Sequence, residues 1–196
     1  MTHSSARTAL PRQTPAARGP ETAAPRGLKV SVIITNYNYG AYLGQAVASV
    51  LAQTHADVEC IVVDDGSTDN SQAVMASFAG IAGVLLPNGG QMRAARAGLA
   101  RASGDIVIFL DSDDFLFPDA CACVAAQWRA GLSALFYRLQ VFEEGEFRTR
   151  FWPPGPFRRG GEAASVLEHG FLPSAPTSGN AFSRAHAEAV FEKDWA

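Results

Sequence analysis

Four short apolar segments constrain this chain more than any other feature: Val30-Ser31-Val32-Ile33-Ile34, then residues 58–63, 84–86 and 106–110. Each is strand-sized, rich in β-branched side chains and bounded by polar or turn residues. Helical patterns lie between them. Leu43, Ala46, Val47, Val50 and Leu51 fall at i, i+3, i+4, i+7 and i+8, the stripe of an amphipathic helix. Gly66 ends the second strand in a turn, and Ser67 or Thr68 is placed to cap a second helix. Pro87-Asn88-Gly89-Gly90 is a turn cluster ahead of a third helix over residues 91–102. Gly104 breaks that helix, and Pro118 suits the first turn of a fourth, running to Arg129.

The order β-α-β-α-β-α-β-α predicts an α/β fold, a mostly parallel sheet with helices on both faces. Right-handed crossovers place every strand-to-helix loop on one edge of that sheet. Ligands of such sheets bind beyond the carboxyl ends of the strands. Downstream the pattern weakens. Residues 134–142 read as one further strand and 147–152 as its partner. Pro153-Pro154-Gly155-Pro156 reads as a loop, residues 161–169 as a short helix, and 184–191 as a helix capped by Ser183.

Residues 1–28 are rich in Pro, Ala, Arg, Ser and Thr and lack hydrophobic periodicity, the composition of a disordered tail. Residues 29–196 then form one domain, which the length of 196 residues suits. No apolar run approaches the ~20 residues needed to cross a bilayer, and the tail has no apolar core of a secretory signal. The expected location is cytoplasmic, with peripheral membrane contact left open. A net charge of −3 supplies no basic field to attract nucleic acid. Three cysteines make a poor disulfide framework and fit a reducing compartment. Cys121 and Cys123, two apart on a helix, point roughly 200° apart and cannot easily share a metal. His55, His169 and His186 form no spaced pair of zinc ligands. Trp128 and Trp152 read as core or edge packing.

Polar residues collect where the strands end. The first strand runs into Thr35-Asn36-Tyr37-Asn38, the second into Asp64-Asp65, and the fourth into Asp111-Ser112-Asp113-Asp114, while Asn88 and Gln91 follow the third. Five carboxylates on one sheet edge repel one another unless a cation or donors neutralise them. Hard divalent cations prefer carboxylate oxygens, so a magnesium or manganese site is the economical reading. In extended backbone Asp111 and Asp113 would face the same side, one to hold a metal and one a ribose hydroxyl. Turn and capping chemistry alone accounts for residues 66–69.

These segments resemble family 2 glycosyltransferases of the GT-A (Rossmann-like) fold. The resemblance rests on residues 30–38, Ser49-Val50-Leu51-Ala52-Gln53-Thr54, Val62-Val63-Asp64-Asp65-Gly66-Ser67-Thr68-Asp69, Asn88-Gly89-Gly90-Gln91 and Leu110-Asp111-Ser112-Asp113-Asp114, in that order. It covers residues 29–130 and, more loosely, 177–182. It implies an inverting, divalent-metal-dependent transfer of a sugar from a nucleotide-diphosphate donor, a UDP-sugar favoured, to an acceptor hydroxyl. The acceptor would be a saccharide, a lipid-linked molecule or a protein, as in cell-wall or polysaccharide biosynthesis. Thr35 and Tyr37 would contact base and ribose, Asp65 the uracil-type ring, and Asp111 the ribose. Asp113 would bind Mn2+ or Mg2+ at the diphosphate, helped by Asp114.

Two departures accompany the resemblance. Where relatives carry Arg followed by Asn, this chain reads Met92-Arg93-Ala94-Ala95-Arg96-Ala97-Gly98, and Arg93 or Arg96 meets the phosphates or stays solvated. The family's base acid lies well after the D-x-D, and here Asp194 is the candidate, close to the end of the chain. The acceptor part is thus expected to be incomplete, and the alternative is a non-catalytic nucleotide-sugar-binding fragment. Phe151 or Trp152 offers a ring to stack on a sugar. A nucleotidyltransferase would want a basic Gly-rich loop after the first strand, and a phosphoacceptor receiver a lysine at a later strand end. Neither is present.

Overall fold

The computed structural model describes residues 27–152 and 177–191. The first four strands are β1 (Val30–Asn36), β2 (Val58–Asp65), β3 (Ile81–Leu86) and β4 (Ile106–Asp111). Helices α1 (Gly40–Leu51), α2 (Ser71–Ala76) and α3 (Gln91–Leu99) connect them, and α4 (Ala120–Gln127) follows β4. Then come β5 (Ala134–Phe136), the hairpin strands β6 (Leu139–Glu143) and β7 (Glu146–Trp152), β8 (Asn180–Ser183) and α5 (Arg184–Phe191). The main sheet has the order β3-β2-β1-β4-β8-β5. Strands β1 to β4 are parallel, and β8 runs antiparallel to both β4 and β5.

Side chains alternate between the two faces of the sheet as period-2 geometry requires. Val30, Val32 and Ile34 of β1 join Leu43, Val47 and Val50 of α1, Met75 of α2, and Cys121 and Val124 of α4 in one apolar cluster. Ile33, Val63 and Phe109 meet Ala94, Ala95 and Leu99 of α3 and Ala187 of α5 in a second cluster, on the other face. Gly98 lets α3 lie this close, since a Cβ there would stand 2.3 Å from Ile33 Cγ2. Leu28 packs against the first cluster, and its carbonyl contacts His55 Nε2 at 2.7 Å.

Several local expectations are corrected. The α1 stripe stops at Val50, because Leu51 is 45% exposed. Asp69, rather than Ser67 or Thr68, serves the start of α2, its carboxylate accepting the Ser71 amide at 2.9 Å. Helices α3 and α4 are shorter than the ranges to 102 and from Pro118 to Arg129 that their flanking residues indicated. The single strand expected over 134–142 is two. β5 pairs with β8 as far as Phe136, and the Tyr137 amide then donates to Gly179 O at 2.9 Å, in the turn before β8. With that partner used up, the chain leaves the sheet and pairs again as β6 with β7. Trp128 lies in the core, but Trp152 is 55% exposed. Ser183 does cap α5, accepting the His186 amide at 3.2 Å. The loop at 153–156, the helix at 161–169 and most of the 1–28 tail lie outside the described residues. Among the described residues no helix is long and apolar enough to cross a membrane.

Candidate functional site

Strand alternation sorts the polar residues at the carboxyl edge. Ile33, Val63 and Phe109 face α3, so Thr35, Asp65 and Asp111, each two residues further on, point to that same face. Thr35 stands beside Asp111 in the β1–β4 register. Asn36 and Asp64 are paired in the β1–β2 register and point the other way. Asp64 is fully buried. Its carboxylate accepts Asn36 Nδ2 at 2.9 Å, the Ser67 amide at 3.1 Å and the Ser67 hydroxyl. It therefore holds two loops together and does not belong to the ligand-facing acids.

Asp65 is 3% exposed. Its Oδ1 and Oδ2 accept the Gly89 amide at 3.0 and 3.1 Å, and Oδ2 accepts the Gly90 amide at 2.7 Å. Asn88 Nδ2 donates back to Asp65 O at 3.1 Å. The β2 end and the loop after β3 are thereby fused. Gly66, at φ +77, is required at the join, because a Cβ would sit 2.5 Å from Asn88 N. Arg93 lies over Gly89 and donates to Pro87 O at 3.1 Å, which places it at the rim of this loop. A similar tie joins the β1 end to residues 67–69. Asn38, in the left-handed region at φ 57, accepts the Thr68 amide at 2.7 Å. Asp69 accepts the Gly40 amide at 2.9 Å. Turn and cap chemistry thus explains residues 66–69, as expected. Tyr37, between these ties, is 48% exposed.

Strand β4 stops at Asp111, and the Asp114 amide closes a turn onto Asp111 O at 3.0 Å. The same-face argument for Asp111 and Asp113 from extended backbone therefore fails, since residues 112–114 are not extended. The turn instead folds Asp114 back on Asp111, whose amide is held by Ser178 Oγ at 3.0 Å, while Asp113 is exposed. Burial, then the charges of Asp114 and Asp113, lifts the Asp111 carboxyl above its usual range. Burial also lifts Asp114, with Asp113 adding to it and the Ser178 hydroxyl opposing. Gln91 Nε2 donates to Asp111 Oδ1 at 2.8 Å. Among the described residues no three acids, histidines or cysteines form a ready metal cage. Magnesium-type ions commonly take one or two carboxylates and complete their shell with substrate phosphates and water, and this acid turn suits that use.

Sequence reasoning missed what holds the turn from behind. Ser49 Oγ accepts the Leu116 amide at 3.1 Å. Gln53 donates to Phe117 O at 2.7 Å and accepts the Cys121 amide at 2.9 Å. Thr54 N reaches Pro118 O at 2.8 Å. The Ser49 to Thr54 segment is therefore a clamp on the loop after the acids. Its spacing was visible in the sequence, but its purpose was not. Beside it, Phe115 and Phe117 pack on Phe142 and Phe147 of the hairpin. Phe151 carries the Arg138 guanidinium 4.5 Å from its ring centre. Burial pushes the Cys60 and Cys121 thiols up to about 12, whereas Cys123 is exposed. Asp194 lies outside the described residues.

A mostly parallel sheet flanked on both faces by helices, with acids at its carboxyl edge, defines an α/β protein of the GT-A, Rossmann-like type. Two solved structures share the fold. A glucosyl-3-phosphoglycerate synthase from Mycobacterium tuberculosis, in complex with Mn2+, UDP and glucosyl-3-phosphoglycerate, superposes with a TM-score of 0.52 at 24% identity, covering 81% of this chain and 58% of its own. A mannosyltransferase from Pyrobaculum calidifontis, in complex with GDP-Man and Mn2+, gives a TM-score of 0.51 at 24% identity, covering 59% of this chain and 38% of its own. The chain belongs to glycosyl transferase family 2, whose sequence model matches residues 31–189. An uncharacterized glycosyltransferase of Nostoc sp. is 38% identical over 178 residues, covering 85% of this chain and 54% of that relative. A chondroitin synthase of Pasteurella multocida is 40% identical over 95 residues, 46% of this chain and 10% of the synthase. The chain thus spans about half the length of the first relative and a tenth of the second.

Proposed function

We propose that this chain carries the donor site of an inverting glycosyltransferase, using a UDP-sugar and Mn2+ or Mg2+ to glycosylate an acceptor hydroxyl. One observation carries the reading. Thr35, Asp65 and Asp111 share one face at the carboxyl edge, with the turn of Asp113 and Asp114 directly beside them. Thr35 and the exposed ring of Tyr37 are placed to receive base and ribose. Asp65, anchored by the Gly89 and Gly90 amides, presents a rigid acceptor to an imide N–H of the base. Asp111 is placed for a ribose hydroxyl, and Gln91 yields its hydrogen bond when that hydroxyl arrives. Asp113, with Asp114, would hold the metal. When bound, a divalent ion offsets the negative charge that develops on the departing diphosphate.

The raised Asp111 and Asp114 carboxyls support this assignment, because burial first and neighbouring carboxylates second disfavour their charged forms, a cost that a cation offsets. The reaction also needs a carboxylate to take the acceptor's proton, and Asp194 is the candidate. The test is Asp113→Ala, with UDP affinity measured with and without Mn2+. The metal-linked gain in affinity should vanish while the melting temperature is retained. A gain equal to the wild type's would remove Asp113 from the metal site.

A further inference from the structure

Ser178 is fully buried although it is a small polar residue far from any acid in sequence. It sits in a short 3-10 turn, Thr177–Gly179, directly before β8. Its Oγ accepts the Asp111 amide at 3.0 Å, across 67 residues of chain. Its hydroxyl also opposes the burial-driven rise of the Asp111 and Asp114 carboxyls. A serine hydroxyl has one proton and two lone pairs. Ser178 therefore fixes the backbone at the end of β4 with a lone pair and keeps its single proton free for a neighbouring acceptor. The turn that carries it is pinned in its own right, since Gly179 O accepts the Tyr137 amide at 2.9 Å. The β8 strand that follows pairs with β4 itself, Ile108 opposite Ala181.

We propose that Ser178 is a positioning residue for the donor site, holding Asp111 and Asp114 in the arrangement that the metal–diphosphate group requires. The assignment rests on the donor-site reading above. Near a metal, partners behind the ligands orient them, and their loss typically lowers metal affinity about 10-fold or more. Bare packing in a buried site would have no such selectivity. A purely apolar residue of this size would fill the space equally well, but it would leave the buried Asp111 amide without its partner.

The experiment is calorimetric titration of the 196-residue chain and its variants with UDP, once in Mn2+ and once in EDTA, beside thermal melts. Ser178→Ala should bind UDP in Mn2+ about 10-fold more weakly. Its affinity in EDTA should fall by less, because only the Asp111 ribose contact is disturbed there, and Ser178→Thr should recover most of the loss. Ser178→Cys fills the same space with a weak donor and should fall with the alanine variant, so it carries the test if the alanine variant does not fold. Equal affinity of folded Ser178→Ala or Ser178→Cys and wild type in Mn2+ would overturn the assignment. So would an equal loss with and without metal, which marks a purely structural residue. Wild-type protein that binds no UDP in either condition would overturn the donor-site reading itself, and Ser178's role with it.

Discussion

Asp65 accepts the amides of Gly89 and Gly90, so Asp65→Ala removes more than a base contact. Two backbone donors lose a charged partner, and the variant should lose about 2 kcal/mol of stability. Asp65→Asn keeps one carbonyl acceptor and should lose less, yet still lower the preference for UDP over CDP. Urea unfolding combined with nucleotide titration separates the two effects, and unchanged selectivity in Asp65→Asn would reject the base-reading role. Gly66 gives a cleaner backbone test. At φ +77, with Asn88 N 2.5 Å from any Cβ, Gly66→Ala should cost about 2–3 kcal/mol, read as a lower urea midpoint. The strand-end pattern collects Asp64 and Asp65 together, and only the family resemblance points to Asp65. Alternation, with Asp64 tied to Asn36 and Ser67, sends the two carboxylates to opposite faces of the sheet. The adjacency of the pair, Asp64-Asp65, hides that division.

The loop after the acid turn depends on an element remote in sequence. Gln53, just past α1, holds Phe117 O and the Cys121 amide. Gln53→Ala should cost about 1–2 kcal/mol and speed hydrogen exchange at the start of α4, while α3 amides stay protected. Uniform loss of protection across both helices would contradict a local clamp. The same logic explains which elements were legible. Strands β1, β2 and β4 are buried on both faces, so near-continuous apolar runs announced them. The α1 stripe was legible because a single face of that helix is buried. β8 went unseen because it is four residues long and only Ala181 is fully buried. The break between β5 and β6 was equally silent, since it is caused by the Gly179 carbonyl, which is remote in sequence. Ser178 shares that reason: nothing within its own segment says that it meets Asp111. The acids of the candidate site were legible from type and spacing alone, whereas the groups that aim them were not.

At the scale of the molecule, the two ends of the sheet are chemically opposite. The carboxyl edge concentrates crowded acids. The amino edge carries a satisfied network, in which Glu59 accepts from Ser103 N at 2.6 Å and pairs with Lys29 Nζ at 2.8 Å. Burial alone would raise the Glu59 carboxyl, but hydrogen bonds from Lys29, Ser31 and Ser103 outweigh it and hold it down to about 2. A depressed folded-state value stabilises the protein above the ordinary 4.5, and that contribution is lost as pH falls toward about 2. Because the pair is partly open to solvent, Glu59→Gln should cost about 1–2 kcal/mol at neutral pH. The gap to wild type should narrow in urea titrations as the buffer is taken from pH 5 to about 2.5. A gap that stays constant would place the stabilisation in packing instead. The amino edge thus supports the fold, while the carboxyl edge is the proposed donor site. The most direct check on that division is calorimetric titration of the chain with UDP, with and without Mn2+, beside GDP, CDP and ATP. The account predicts metal-dependent binding with UDP preferred. A folded chain that binds none of the four, or binds them alike without regard to metal, would contradict it.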